Sequence, residues 1–178
     1  MLDMRKHALE MIKFKNYLKR YGLQVKEIKS DGNCLFRALS DQLRGTEDDH
    51  GEFRQRCVDY IEENKELYKF FIEDDENIDD YIEWIRADSK WGGQLEMNAL
   101  AQIYRFNIVV HQVNNPGMAQ EFYPWGSVPT LHISYHMGEH YNSVRSAQDT
   151  LAGPAIDFPV SHILQEILGQ ADTNEAQD

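Results

Sequence analysis

Two hydrophobic periods meet within a few residues near the head of this chain, and their junction constrains the fold more than any other feature. The run from Leu23 to Ile28 alternates apolar and polar residues at period two, the mark of a half-buried strand. Ser30, Asp31, Gly32 and Asn33 then supply turn chemistry. Leu35, Phe36, Leu39 and Leu43 follow at helical spacing, which predicts a helix from about Cys34 that stops near Gly45. A strand that passes through a glycine turn straight into a helix calls for helices packed on a sheet.

The rest of the chain extends that pattern. Ala8, Met11, Ile12, Tyr17 and Leu18 predict an amphipathic helix over Lys6 to Tyr21, with Gly22 at its C-terminal end. From His50 to Arg86 the helical period recurs in Phe53, Cys57, Tyr60 and Ile61, in Leu67, Phe70 and Phe71, and in Ile78, Tyr81, Ile82 and Ile85, enough for two or three helices. Leu95, Ala99, Leu100 and Ile103 predict another helix. Strand-like runs follow over Asn107 to Val113, Thr130 to Tyr135 and His140 to Val144, with turn chemistry at Asn114 to Gly117 between the first two. The expected class is α+β, a small and largely antiparallel sheet flanked by helices. Residues 1–22 are expected as a helix packed on the domain, 23–146 as its core, and 147–178 as an extension holding a short helix near Ile163 to Leu168 and a disordered tail.

Charge excludes some functions. The 178 residues carry a formal net charge of -12, which disfavours binding to phosphate backbones or anionic membranes and suits a basic or neutral protein partner. Acidic runs at Glu47 to Asp49 and Glu73 to Glu76 could meet such a partner, although charge runs are commonly just solvated faces. Two cysteines are too few for a disulfide framework or a thiolate metal site, so a reducing compartment is expected. The first twenty residues lack the apolar core of a signal peptide, and no stretch approaches the roughly 20 apolar residues of a membrane span. The expectation is a soluble cytoplasmic protein, with the nucleus as a second compartment open to it.

Cys34 stands where a turn meets a helix N-terminus, a position that favours thiolate through the helix dipole and unpaired amides. The preceding loop suits an oxyanion hole: Gly32 permits a sharp turn, the amides of residues 31–34 can converge, and Asp31 and Asn33 can rigidify them. An arbitrary cysteine is nonetheless more often a buried small hydrophobe. His140 is the candidate general base, and Asn142, two residues on and so on the same side of a strand, is the candidate orienter of its imidazole. A lone histidine with an asparagine at i+2 is weak evidence by itself. His132, His136 and His140 recur every four residues, but in a strand-forming segment His132 and His136 stand roughly 13 Å apart, so no shared metal is expected. Trp91, Gly92 and Gly93 open a helix and can let an extended peptide backbone pass close by, or can form a plain turn. Glu96 suits that helix's N-terminus.

Taken in order, three boxes resemble those of the ovarian-tumour (OTU) family: Asp31-Gly32-Asn33-Cys34-Leu35-Phe36, Trp91-Gly92-Gly93-Gln94-Leu95-Glu96, and Gly138-Glu139-His140-Tyr141-Asn142-Ser143-Val144. The resemblance runs from about Lys6 to Arg145 and lies, within the family, nearest the OTU domain-containing protein 3 group. It implies a papain-like cysteine protease fold and a deubiquitinase that cleaves isopeptide bonds of ubiquitin and polyubiquitin chains through a thioester, without metal or cofactor, as a monomer. It implies Cys34 as nucleophile, His140 as base, Asn142 as orienter, and Asp31 either shaping the oxyanion hole or sharing the orienting role. Many members carry Asp where this chain has Asn142. The alternatives are an inactive ubiquitin-binding module and a protease for another ubiquitin-like modifier.

Overall fold

The computed structural model describes residues 2–73, 76–114, 119–122, 128–136 and 140–155. Six helices and five strands are present among them: α1 (Leu2–Arg20), β1 (Leu23–Lys26), α2 (Cys34–Arg44), α3 (His50–Glu63), α4 (Lys65–Tyr68), α5 (Ile78–Arg86), α6 (Gln94–Tyr104), β2 (Asn107–Gln112), β3 (Ala119–Phe122), β4 (Thr130–His136) and β5 (His140–Ser146). The strands form one sheet in the order β1-β5-β4-β2-β3. Three pairings are antiparallel, and β2 runs parallel to β4 with Ile108 opposite Leu131. The strand β3 was not in the sequence reading, which closed the Asn107 to Val113 run with the turn chemistry at Asn114. Ala119, Gln120, Glu121 and Phe122 show no run of apolar alternation in the sequence, and the strand is defined by its antiparallel ladder to β2 at the edge of the sheet.

Period-two alternation divides the core. Ile108 and Val110 on β2 and Tyr141 on β5 join the main cluster with α2, α3, α5 and α6. Val113 and Val144, of opposite parity, meet Phe14 and Leu18 of α1. The face α1 buries is therefore His7, Met11, Phe14 and Leu18, at i, i+4, i+7 and i+11, whereas Ile12 stays exposed. Phe14 and Leu18 are fully buried, each stabilising the docking of α1 by roughly 1.5 to 3 kcal/mol.

The central element is α2, buried from Cys34 to Gln42 on all sides rather than along one stripe. Its polar residues are satisfied individually. Where β4 and β5 part beyond the Ile133–Ser143 pair, Gln42 takes the place of a ladder: Nε2 donates to Val144 O at 2.8 Å and Oε1 accepts from His132 N at 3.0 Å. Asp41 faces both Lys26 and the fully buried Arg145. Arg145 also holds Asp149 and the Gly153 carbonyl, while Ala155 N donates to Gln42 O, so residues 147–155 lie tied against the core. Gly45 ends α2 in the left-handed conformation at φ 75°. The helix expected near Ile163 to Leu168 lies outside the described residues, and no described helix is long and apolar enough to cross a membrane.

Candidate active site

The loop before α2 is held by two arginines that the sequence reading did not single out. Arg37, one turn into α2, clasps the Asp31 carboxylate through Nε at 3.1 Å and Nη2 at 2.9 Å, and the Asn33 amide donates to Asp31 Oδ1 at 2.9 Å. Burial opposes ionisation of Asp31, but Arg37 and the Asn33 amide together hold its carboxyl below the usual range. Arg54, buried on α3, reaches across four acceptors: Ile85 O, Gly32 O, Asn33 Oδ1 and Lys90 O, at 2.7 to 3.1 Å. It bolts the 31–34 loop to residues 85–90, and Ser89 N completes the bolt by donating to Asn33 Oδ1. A detectable signal existed, since Arg54 occupies the stripe shared by Cys57, Val58 and Ile61, where a cation without partners would be costly.

Gly32 lies in the turn expected of it, and the structure adds a second reason for glycine there. A Cβ there would stand 1.8 Å from the Ser89 carbonyl oxygen, so glycine is needed for close approach of two backbones. Ser89 itself has φ 61°.

Cys34 is a buried thiol, in no disulfide, at the first residue of α2. Its sulfur lies under the amide of Tyr141, the residue after His140, which joins the helix N-terminus to the start of β5. Burial pushes the thiol up and outweighs the amides of Tyr141, Leu35 and Cys34 itself, and Asp31 adds to the rise. The helix start thus acts in the expected direction, but the resting group is a thiol. The Cys34 and Asn33 amides are engaged inside the loop, the former with Asp31 O at 3.2 Å. Only by exchanging those bonds can they face an oxyanion.

His140 and Asn142 come together as the spacing suggested. His140 Nε2 is 3.0 Å from Asn142 Oδ1, and the buried Asn142 also accepts from Ile28 N at 2.8 Å. Its Nδ2 is 2.9 Å from His136 Nε2. The Asp31 carboxylate is bonded instead to Arg37 and the Asn33 amide, where it shapes the loop before α2. Of the four-residue series His136 stays beside His140, whereas His132 diverges: its Nδ1 meets His111 Nε2 at 3.0 Å, with both rings buried.

Trp91 is exposed and Gly92 buried, where a Cβ would press on Leu35 at 2.9 Å and Phe36 at 3.2 Å. Glu96 caps α6, accepting from Gly93 N at 2.7 Å and from the Tyr81 hydroxyl at 2.7 Å, and burial holds its carboxyl above the usual range. These residues line a groove of about 380 Å³ together with Phe71, Trp84 and Leu95.

A thiol at a helix head, joined through the Tyr141 amide to the strand that carries a His–Asn pair, is an arrangement that suits the papain-like class of cysteine hydrolase. The family model described as OTU-like cysteine protease matches residues 29–141, and the chain belongs to that family. It is 40% identical over 146 residues to the OVARIAN TUMOR DOMAIN-containing deubiquitinating enzyme 7 of Arabidopsis thaliana, covering 82% of this chain and 39% of the relative. It is 38% identical over 156 residues to OTU domain-containing protein 3 of Mus musculus, covering 86% and 39% respectively, in keeping with the group read from the boxes. The chain therefore spans about two fifths of the length of these curated relatives. Among solved structures, the OTU domain of OTUD1 superposes with a TM-score of 0.72 at 26% identity, over 80% of this chain and 98% of that one. An OTU domain in complex with ubiquitin superposes with a TM-score of 0.64 at 21% identity over 84% of each chain, a likeness of fold.

Proposed function

We propose that this chain is a thiol-dependent deubiquitinase that hydrolyses isopeptide bonds of ubiquitin conjugates and polyubiquitin. The observation that carries the reading is Asn142 Oδ1 holding His140 Nε2 at 3.0 Å, with the Cys34 sulfur under the neighbouring Tyr141 amide, in a chain of the OTU family. An imidazole that donates through Nε2 keeps its basic lone pair on Nδ1. Nδ1 takes the Cys34 proton as Sγ attacks the carbonyl of ubiquitin's C-terminal glycine, and the amides of the 31–34 loop turn to the oxyanion. Collapse breaks the C–N bond while His140 passes its proton to the departing lysine amine, leaving a thioester. A water then gives its proton to His140 and attacks the thioester, and the thiol leaves reprotonated. The cycle calls on no metal or cofactor.

The net charge of -12 supports a basic partner surface. Two buried thiols, neither in a disulfide, support a reducing setting such as the cytoplasm or nucleus, and the reading also includes a monomer. Ubiquitin bearing a thiol-reactive group at its C-terminus tests the assignment. A covalent adduct is expected by mass with the wild-type chain and none with Cys34→Ala. Absence of an adduct with folded wild-type chain refutes it, and a panel of other ubiquitin-like modifiers then shows whether the thiol serves one of them.

A further inference from the structure

Asn142 makes three contacts whose directions are not interchangeable. Ile28 N can only donate, so the atom 2.8 Å away must be the amide oxygen. That same oxygen lies 3.0 Å from His140 Nε2, which must therefore carry the proton. The amide nitrogen at the other end can only donate, and it lies 2.9 Å from His136 Nε2, which must therefore carry a lone pair. One backbone amide thus sets the tautomers of two histidines.

We propose that His136 is a positioning residue for the proteolytic site: by accepting the Asn142 amide hydrogen it holds Asn142 Oδ1 on His140. The proposal rests on the reading of Cys34 and His140 as the reacting pair. His136 ends β4 directly opposite His140 in the β4–β5 register, and the rings meet edge to face at 4.9 Å. Asn142 and His136 are both buried, so without this acceptor the amide hydrogen has no solvent to turn to and the side chain gains a reason to rotate. Protonated His136 would set donor against donor. The charged and titratable groups facing it are His140 on β5, Glu27 beyond β1, and His7 and Lys15 on α1; burial first, then His140, holds its pKa down to about 4, leaving Nε2 an acceptor at neutral pH.

The pairing is specific to asparagine. A carboxylate at position 142 would offer His136 Nε2 an acceptor instead of a donor and would draw a proton onto it. Asn142 and His136 therefore form a matched couple in this chain.

Three measurements test it. His136→Leu is expected to lower kcat on a fluorogenic ubiquitin substrate about tenfold, the rate equivalent of one buried hydrogen bond, with KM unchanged. His136→Gln, whose Oε1 can accept the same hydrogen, is expected to recover most of that loss. Iodoacetamide alkylation of Cys34, which needs no ubiquitin, is expected to slow in parallel in His136→Leu. If wild-type chain leaves ubiquitin uncleaved yet this alkylation slows as stated, the substrate assignment fails and the positioning role stands. Wild-type kcat and alkylation rates in His136→Leu overturn it. Should His136→Leu fail to fold, nitrogen-15 imidazole spectra decide: protonated Nδ1 and bare Nε2 on wild-type His136 are expected, with its pKa raised by more than one unit in Asn142→Asp. A protonated Nε2 in the wild type, or an unchanged pKa in Asn142→Asp, overturns the proposal.

Discussion

Arg54→Met is the sharpest test of how the active-site loop is held. Methionine keeps most of the aliphatic volume and removes a guanidinium that serves Ile85 O, Gly32 O, Asn33 Oδ1 and Lys90 O. Two of those acceptors, Ile85 O and Asn33 Oδ1, are in buried contacts, where a hydrogen bond from a charged donor is worth about 1.5 to 3 kcal/mol. The two part-buried acceptors can recruit water and count for less. Against a gross loss of about 3 to 6 kcal/mol stands the relief of no longer burying a charge, a few kcal/mol at most. The cation over the Phe36 ring at 4.4 Å also goes, while methionine sulfur retains part of that contact. The net expectation is a loss on the order of 2 to 4 kcal/mol, read from urea unfolding, together with a change in the rate at which iodoacetamide reaches Cys34. A loss below about 1 kcal/mol with unchanged Cys34 reactivity would show that the loop is held by something other than Arg54.

Gly32→Ala puts a Cβ 1.8 Å from a backbone oxygen, so the 31–34 and 87–90 segments must separate; turnover is expected to fall at least about tenfold with a lower melting temperature, and a wild-type melting curve would contradict the close approach. Asp31→Asn weakens the clasp on Arg37 without touching His140, so a fall in turnover of only about two- to fivefold is expected; complete inactivity with an intact fold would return Asp31 to the reacting groups. His111 and His136 have pKa values of about 4, and His132 lies well below its ordinary value, all through burial. Since these folded values lie below the unfolded value near 6.5, the stability they represent is complete above about pH 6.5 and is lost as pH falls toward 4, by up to about 1.4 kcal/mol per pH unit for each histidine. Proton uptake on unfolding near pH 5, measured by calorimetry in buffers of different ionisation enthalpy, should approach about three from this source, and no uptake would refute the burial of neutral rings.

What was legible in the sequence was whatever rests on local period or on a local turn. The change from period two to helical period located the Cys34 helix, and two-residue spacing on a strand located Asn142 beside His140. What was not legible depends on residues far apart in the chain. Arg54 earns its place from carbonyls at positions 32, 85 and 90, and Gln42 from a divergence of strands that no local pattern encodes. Gly32 sits in the turn it was read into, but the close approach of the Ser89 carbonyl 57 residues later, which also demands glycine, has no local signal. Ile12 was placed inward by its hydrophobicity, yet the helix meets the sheet through Phe14 and Leu18 and leaves Ile12 exposed.

The electrostatics of Cys34 carry that lesson into mechanism. A helix N-terminus and three nearby amides favour thiolate, and they are present. Burial of the sulfur and the proximity of Asp31 act the other way and prevail, so position alone does not activate the nucleophile. On the proposed mechanism the proton leaves with the help of His140, and that help depends on Nδ1 being the basic nitrogen. Ile28 N, two residues beyond β1, decides that tautomer through Asn142, and on the proposal above Asn142 holds it only while its other end has an acceptor in His136. Reactivity is thus made conditional on the seating of β1, β4 and β5 against one another. A thiol that stays protonated until this geometry and a substrate coincide is also a poorer target for oxidants, which attack thiolates.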